Sequence, residues 1–407
     1  MNEVIIIGAG ASGLAAAIGA ARAGAKVRIL EASDKPAKKI LATGNGHCNY
    51  TNMDIDEGAY YGEAGSALSS FINNFFYNFD TSDILNFFES IGVYPLIREG
   101  YVYPRSGEAA TVRNALIAEC EKLGIKINTN IKIKDIIETP DAFDVETEGY
   151  TYHADKVIIA SGLKAGEKPS PSDDELSHSD MILQIVSGFG HKINKPLPAL
   201  TSFVFRDAIN SASGVRLRSS VTVTIDDKAY TEIGEIQINN FGASGIPIMN
   251  LSRYASAALA QGKEVKATFN FLYGVDYSGF LEGTKPYLLD LPAKLSKIFE
   301  ADGITPLNYT VKLDAVRGYE SAQVCRGGVD IDEIDPATMQ SKLINGLYFA
   351  GEVIDIDGKC GGYNLSFAWG SGLIAGAHAA GSKYKHYIPN LEQLRRWEAA
   401  EVGSRRG

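Results

Sequence analysis

Apolar positions near the start of the chain come in short runs whose spacing predicts three elements. Val4 to Ile7 is unbroken, Gly8-Ala9-Gly10-Ala11-Ser12-Gly13 follows it, and Leu14 to Ala23 is an Ala-rich stretch. A second apolar run, Val27 to Leu30, ends on Glu31. Short apolar runs bounded by turn residues predict buried strands, and a stretch of small helix formers opened by glycine predicts a helix. The order is strand, glycine turn, helix, turn, strand and a terminal acid.

That order is the one a dinucleotide-binding βαβ unit requires. Gly8 permits the tight turn off the strand, Gly10 lets the backbone approach a pyrophosphate, and Gly13 lets the helix pack close to the sheet. The helix start near Ala11 and Ser12 offers unpaired N–H groups and a positive dipole end to phosphates. Glu31, 18 positions after Gly13, can take both ribose hydroxyls of an adenosine, and no Arg stands beside it to favour a 2′-phosphate. The expected ligand is an adenine dinucleotide.

The pattern continues along the chain. Helical period predicts helices over about 66–79, 82–91 and 109–123, with a short strand from Tyr101 to Tyr103. Ile125 to Ile127, Ile131 with Ile133, Phe143 to Thr147 and Val157 to Ala160 predict strands, the last ending in Ser161-Gly162. From about His191 the segments 200–206, 215–225 and 229–238 are short and rich in Val, Ile and Thr, with Asp226-Asp227 as a turn. This predicts an antiparallel, barrel-like block. Helical period returns at 250–261 and 284–300, around a strand-like 264–272. The polar segment Ala32 to Asn52 predicts a working loop. The expected plan is α/β: a discontinuous nucleotide domain (1–190 and 331–407), a β-barrel domain (191–252 and 312–330) and a helical insert (253–311).

Composition narrows the partners. With 407 residues the chain needs two or three domains. A formal charge of −10 leaves no basic excess to neutralise phosphates, which argues against nucleic acid or an anionic membrane as partner. Arg395, Arg396, Arg405 and Arg406 sit in a polar tail expected to be a solvated end. No basic region precedes the first apolar run and no stretch approaches a membrane span, so cytoplasm is the expected location. Cys48, Cys120, Cys325 and Cys360 form no CxxC pair, so neither a metal site nor a disulfide framework is expected.

A distal segment separates FAD from NAD. Leu347 to Ala350 predicts a buried strand ending in Gly351-Glu352. Asp355-Ile356-Asp357-Gly358 predicts a turn, and Gly361-Gly362-Tyr363-Asn364 opens a helix running to about His378. A second strand-to-helix junction beside the first can hold the other half of a long dinucleotide. The acid can bond ribityl hydroxyls, and N–H groups at the helix start can meet the flavin pyrimidine edge. The same reading assigns cofactor contacts to Ala32, Lys39, Thr43, Gly44, Asn45, Gly46, Ile133, Ser161, Gly162 and Asp357.

Gly8 to Glu31, the run Lys38-Lys39-Ile40-Leu41-Ala42-Thr43-Gly44-Asn45-Gly46, and Gly346 to Glu352 with Gly361 to Asn364 together resemble the BaiN/YhiN-type bacterial FAD-dependent flavoproteins. Gly234-Glu235 with Gly245 and Pro247, and Val329 to Met339, extend the resemblance over nearly the whole chain. It implies FAD and three domains: a glutathione-reductase-like FAD domain, a β-barrel and a helical insert. Family members include a reductase of unsaturated oxo-bile acids and an aminoacetone oxidase, so the reaction stays open. Two departures stand out. His47 replaces the usual Arg, and Leu163-Lys164-Ala165-Gly166, followed by the polar Ser170 to Asp180, replaces a Gly-rich turn.

Hydride transfer asks the protein to orient the substrate carbon over flavin N5 and to manage one proton. His47 can exchange a proton or simply bond to backbone, the plainer expectation. Cys48 and Cys360 fall on the two cofactor-facing loops, without redox-pair spacing. Tyr363 can donate a proton or pack on the isoalloxazine. Arg317 and Arg326 are expected in surface ion pairs, with an anionic substrate as the alternative. No second GxGxxG is present, so a nicotinamide (NADH or NADPH) would reach the flavin from the cleft. The leading expectation is an FAD-dependent reductase or dehydrogenase of a small organic substrate. An O2-using amine oxidase, a non-catalytic redox sensor and a flavin-dependent tRNA-modifying enzyme are the alternatives.

Overall fold

The first apolar run pairs with the second as read: β1 (Glu3–Ile7) lies parallel to β2 (Lys26–Leu30), and α1 (Ala11–Arg22) connects them. β3 (Lys126–Asn128), β4 (Lys156–Ile159) and β5 (Leu347–Phe349) complete a parallel sheet of order β5-β4-β1-β2-β3. Val4, Ile6, Ile7, Ile29, Val157 to Ile159, Leu347 and Phe349 are fully buried. Such runs are uniformly apolar because a parallel sheet is covered on both faces. This Rossmann-type α/β architecture comes from a computed structural model, which describes residues 2–167, 177–276, 285–300 and 305–402.

The described residues fall into two compact units. One comprises those of Met1–Lys164, Ser170–Pro196 and Arg326–Gly407, the other those of Ala165–Pro169 and Leu197–Cys325. In the first unit α2 (Tyr363–Ala379) packs directly on α1. Glycine permits this. A Cβ on Gly372 would lie 2.4 Å from the Ser12 carbonyl oxygen, and one on Gly376 would lie 2.1 Å from that of Ala16.

The sequence order reverses between β1 and β4, since β2 lies on one side of β1 and β4 on the other. Ligands of open α/β sheets bind at such a switch point, outside the carboxyl ends of the strands. The two exits touch: a Cβ on Gly8 would lie 2.5 Å from the Ala160 carbonyl oxygen.

Three details differ from expectation in this unit. The segment Ala32 to Asn52 is not all loop: Lys38–Ala42 is a helical turn because Ile40 is buried, and Thr51–Asn52 pairs with Tyr101–Pro104. The strand expected from Ile131 begins at Ile133 and runs to Glu138, after Asn130 turns the chain at φ +59°. In the polar tail Arg395 and Arg396 are exposed as expected, but their helix is docked rather than free. Leu391–Val402 is a helix whose Trp397 is buried and donates to Glu89 at 2.9 Å, with Arg396 3.2 Å from the same carboxylate. Arg405 and Arg406 lie outside the described residues.

The second unit holds a seven-stranded antiparallel sheet. Its longest hairpin, Arg216–Ile225 with Lys228–Asn239, turns at Asp226-Asp227 as predicted. Helix Ile246–Ala260 starts earlier than its apolar period suggested, because Gly245 (φ +112°) ends the preceding strand and Pro247 suits a first turn. The expected helix 284–300 is two pieces, Pro286–Asp290 and Ala293–Phe299, with Pro292 between them. Among the described residues no helix is long and apolar enough to cross a membrane.

Candidate functional site

Residues expected at the cofactor gather on the carboxyl edge of the parallel sheet. Gly8 leaves β1, Glu31 leaves β2, Ser161 and Gly162 leave β4, and Gly351 and Glu352 leave β5. The three glycines of the first turn divide the work. A Cβ on Gly13 would lie 2.0 Å from the Gly8 oxygen, so this pair locks helix to turn. Gly10 has nothing within 4 Å of its Cβ direction, and it begins α1 with no side-chain cap. Among the described residues no side chain caps that turn, so its orphan N–H groups are left for another partner. Ser12 is buried against Gly351, so it can offer a ligand its backbone rather than its hydroxyl.

Glu31 is held from two sides. Its Oε2 accepts from the Ala9 N–H at 2.6 Å, and its Oε1 accepts from the Ser33 N–H at 2.7 Å and hydroxyl at 2.5 Å. This fixes the carboxylate at the strand exit, beside Ala32. Ile133 is fully buried, so any ligand contact it makes runs through its backbone.

The second segment repeats the uncapped start. Gly362 (φ +94°) begins α2 with no side-chain cap. A Cβ there would lie 2.6 Å from the Thr51 oxygen and 3.0 Å from the Asn49 side-chain amide. Asn49 is also close to Gly44, whose Cβ would lie 3.0 Å from the Asn49 nitrogen, so the Thr43–Gly46 turn and the α2 start adjoin one residue. Asn364 pins the loop between: its side chain accepts from the Gly358 N–H at 2.8 Å and donates to the Gly358 oxygen at 2.9 Å. Asp357 is buried and Asp357–Gly358 pairs with Tyr60–Tyr61, a strand pairing where sequence suggested only a turn. Lys39 links the middle of the site, donating to the Leu163 oxygen at 3.0 Å and standing 3.5 Å from Glu352. Thr43 turns its hydroxyl back to the Ile40 oxygen at 2.6 Å, while Asn45 and Gly46 are exposed.

Other candidates separate. His47 Nδ1 lies 2.6 Å from the Gly107 oxygen, the plain backbone bond. Cys48 is fully buried, and burial pushes its thiol up to about 11, so it is no reactive thiolate near neutral pH. Arg326 pairs with Glu63, and Arg317 lies 3.4 Å from Glu320. Much of the polar stretch Ser170 to Asp180 lies outside the described residues.

Two tyrosines were missed as site residues. Tyr101 and Tyr103 share a face of one strand, as residues two apart must. The Tyr101 ring covers Gly361, whose Cβ would lie 2.8 Å from it, and the Tyr103 ring lies 3.8 Å from the Cβ direction of Gly44. Burial, with Cys360 and Glu99 nearby, pushes the Tyr101 phenol above its usual range. Burial does the same for Tyr363, with Asp56, Tyr101 and Asp54 adding to it. These phenols stay protonated at neutral pH. The alternation in Tyr-Val-Tyr was the available signal, but it reads equally as an ordinary strand.

The two turns fit a dinucleotide: each opens an uncapped helix on glycine, and the helices are held together by their own backbones. Comparison with known proteins agrees. Residues 2–378 match the HI0933-like protein Rossmann domain family, which bears out the family resemblance. A 3-dehydro-bile acid delta(4,6)-reductase of Clostridium scindens is 35% identical, over 93% of this chain and 99% of that protein. A ribosomal RNA dihydrouridine synthase of Escherichia coli is 26% identical, over 91% and 96%. Among solved structures, a 3-ketosteroid delta1-dehydrogenase from Sterolibacterium denitrificans shares the fold with a TM-score of 0.52 at 12% identity, covering 94% of this chain and all of that one.

Proposed function

The chain belongs to the HI0933-like family and is an FAD-dependent oxidoreductase; from that premise we propose that it saturates a carbon–carbon double bond conjugated to a carbonyl in a small organic substrate. The observation that carries this reading is chemical. The two relatives are named for different substrates, yet a delta(4,6)-reductase of a 3-oxo compound and a dihydrouridine synthase both saturate a double bond conjugated to a carbonyl.

Bound at the two glycine turns, FAD supplies a hydride equivalent at N5. The chain's own work is binding and proton control. The orphan N–H groups at Gly10 to Gly13 would hold the pyrophosphate, and Glu31 would orient the ribose. The uncapped start of α2 would offer its N–H groups and positive dipole end to the flavin. Tyr101 or Tyr363, each protonated across the neutral range, would supply the single proton that saturation of the bond requires. NADH or NADPH is the proposed electron donor. The inserted barrel stays part of this reading, supported by the antiparallel order of its strands.

The test is an anaerobic visible titration. Bleaching of the flavin bands by NADH or NADPH, then their return on adding a 4-en-3-one steroid, is the expected result. Flavin that stays oxidised with both nucleotides, but is reduced by amines with peroxide formed in air, would replace the reductase with an oxidase. The dihydrouridine relatives keep the uracil ring of RNA as a second substrate of the same bond class. The charge of −10 weighs against it, and failure to bind ribosomal RNA fragments at low salt would close that reading.

A further inference from the structure

Of the buried polar atoms without a hydrogen-bond partner among the described residues, one belongs to a side chain near the carboxylate of Glu31 at the exit of β2. The exit of β2 and the loop before Ile133 form adjoining walls there. The Glu31 oxygen accepts from the Ile131 N–H at 2.9 Å, and the Ser33 oxygen accepts from the Asn130 N–H at 3.0 Å. Helix His178–Gly188 packs on the following strand, Ile133–Glu138, and His178 is its first residue.

The helix start is fixed without that histidine. The Ser177 hydroxyl oxygen accepts from the Asp180 N–H at 3.2 Å, and the Asp180 carboxylate pairs with Lys164 at 2.5 Å. His178 Nδ1 is buried and, among the described residues, makes no hydrogen bond. Its charged neighbours are Glu31 and Lys132, and burial, the largest influence, holds it below the usual histidine range. A neutral imidazole carries one donor and one acceptor nitrogen, and leaving one buried without a partner is costly. Nothing else in the reading of the site uses this residue.

We propose that His178 is a cofactor-binding residue whose Nδ1 hydrogen-bonds the adenosine half of FAD. The inference rests on the reading of the chain as an FAD protein. A ribose hydroxyl both donates and accepts, and adenine ring nitrogens accept, so the adenosine satisfies either tautomer. With Glu31 on one side and His178 on the other, the adenosine is gripped by two side chains rather than one.

The experiment titrates apoprotein with FAD by flavin fluorescence, with ADP and FMN as separate competitors. An Asn side chain places an amide near the Nδ1 position, and Gln places it near Nε2. His178→Asn is therefore expected to hold affinity, while His178→Gln and His178→Phe weaken FAD binding about three- to tenfold. ADP competition should weaken by the same factor, with FMN unchanged. Variants that bind FAD and ADP like the parent would overturn the assignment, as would an equal loss for FMN. Should His178→Phe fail to fold, the Asn and Gln pair still decides the matter. Parent protein that binds no FAD would sink the FAD reading itself, a separate result.

Discussion

The two glycine turns of the first unit do one job by different means. At Gly8 to Gly13 the backbone builds nearly everything: Gly13 presses on the Gly8 oxygen, Gly8 on Ala160, and Gly10 is left open. At Gly358 to Asn364 side chains hold the shape. Asn364 bonds both sides of Gly358, Asn52 donates to the Gly361 oxygen at 2.9 Å, and Tyr60 donates to the Tyr363 oxygen at 3.0 Å. A backbone-built turn tolerates almost no change. A turn held by side chains can be retuned one residue at a time.

The largest break should come from Gly13→Ala, whose Cβ has no room 2.0 Å from an oxygen. A loss of about 3 kcal/mol or more in urea unfolding is expected, with little bound flavin. Asn364→Ala removes three bonds in the second turn and should cost about 1–3 kcal/mol, shifting the flavin spectrum while some cofactor is retained. Equal losses in the two variants would erase the distinction. Gly10→Ala sharpens it further. With open space around it, apoprotein stability should change by about 0.5 kcal/mol or less, yet FAD affinity should fall about tenfold. The smallest effect concerns the thiols: in native protein at pH 8, iodoacetamide should spare buried Cys48 and reach half-buried Cys360 first. Rapid alkylation of Cys48 would reopen the redox pair.

The backbone-built turn was legible in the sequence because its demands fall on residue type. Only glycine fits at Gly8 and Gly13, and a parallel strand must be apolar on both faces. The second turn was legible only in outline. Gly361-Gly362 marked the helix start, but no spacing rule ties Asn364 to Gly358 or brings Tyr101 over Gly361. The first spans six positions and the second 260, and both depend on the tertiary fold. His178 was hidden for the same reason: a lone histidine at a helix start is ordinary until its neighbours are known. The tail misled because Trp397 is one buried residue among many polar ones, too weak a pattern to announce a docked helix.

The glycine contacts between α1 and α2 have one more consequence. Because Gly372 rests on Ser12 and Gly376 on Ala16, the two helices are spaced by a backbone-to-backbone joint rather than by the loops beyond them. That joint acts as a gauge block for the length of the ligand. Substitutions in the surrounding loops can therefore change those loops while leaving this joint, built from helix backbone, in place.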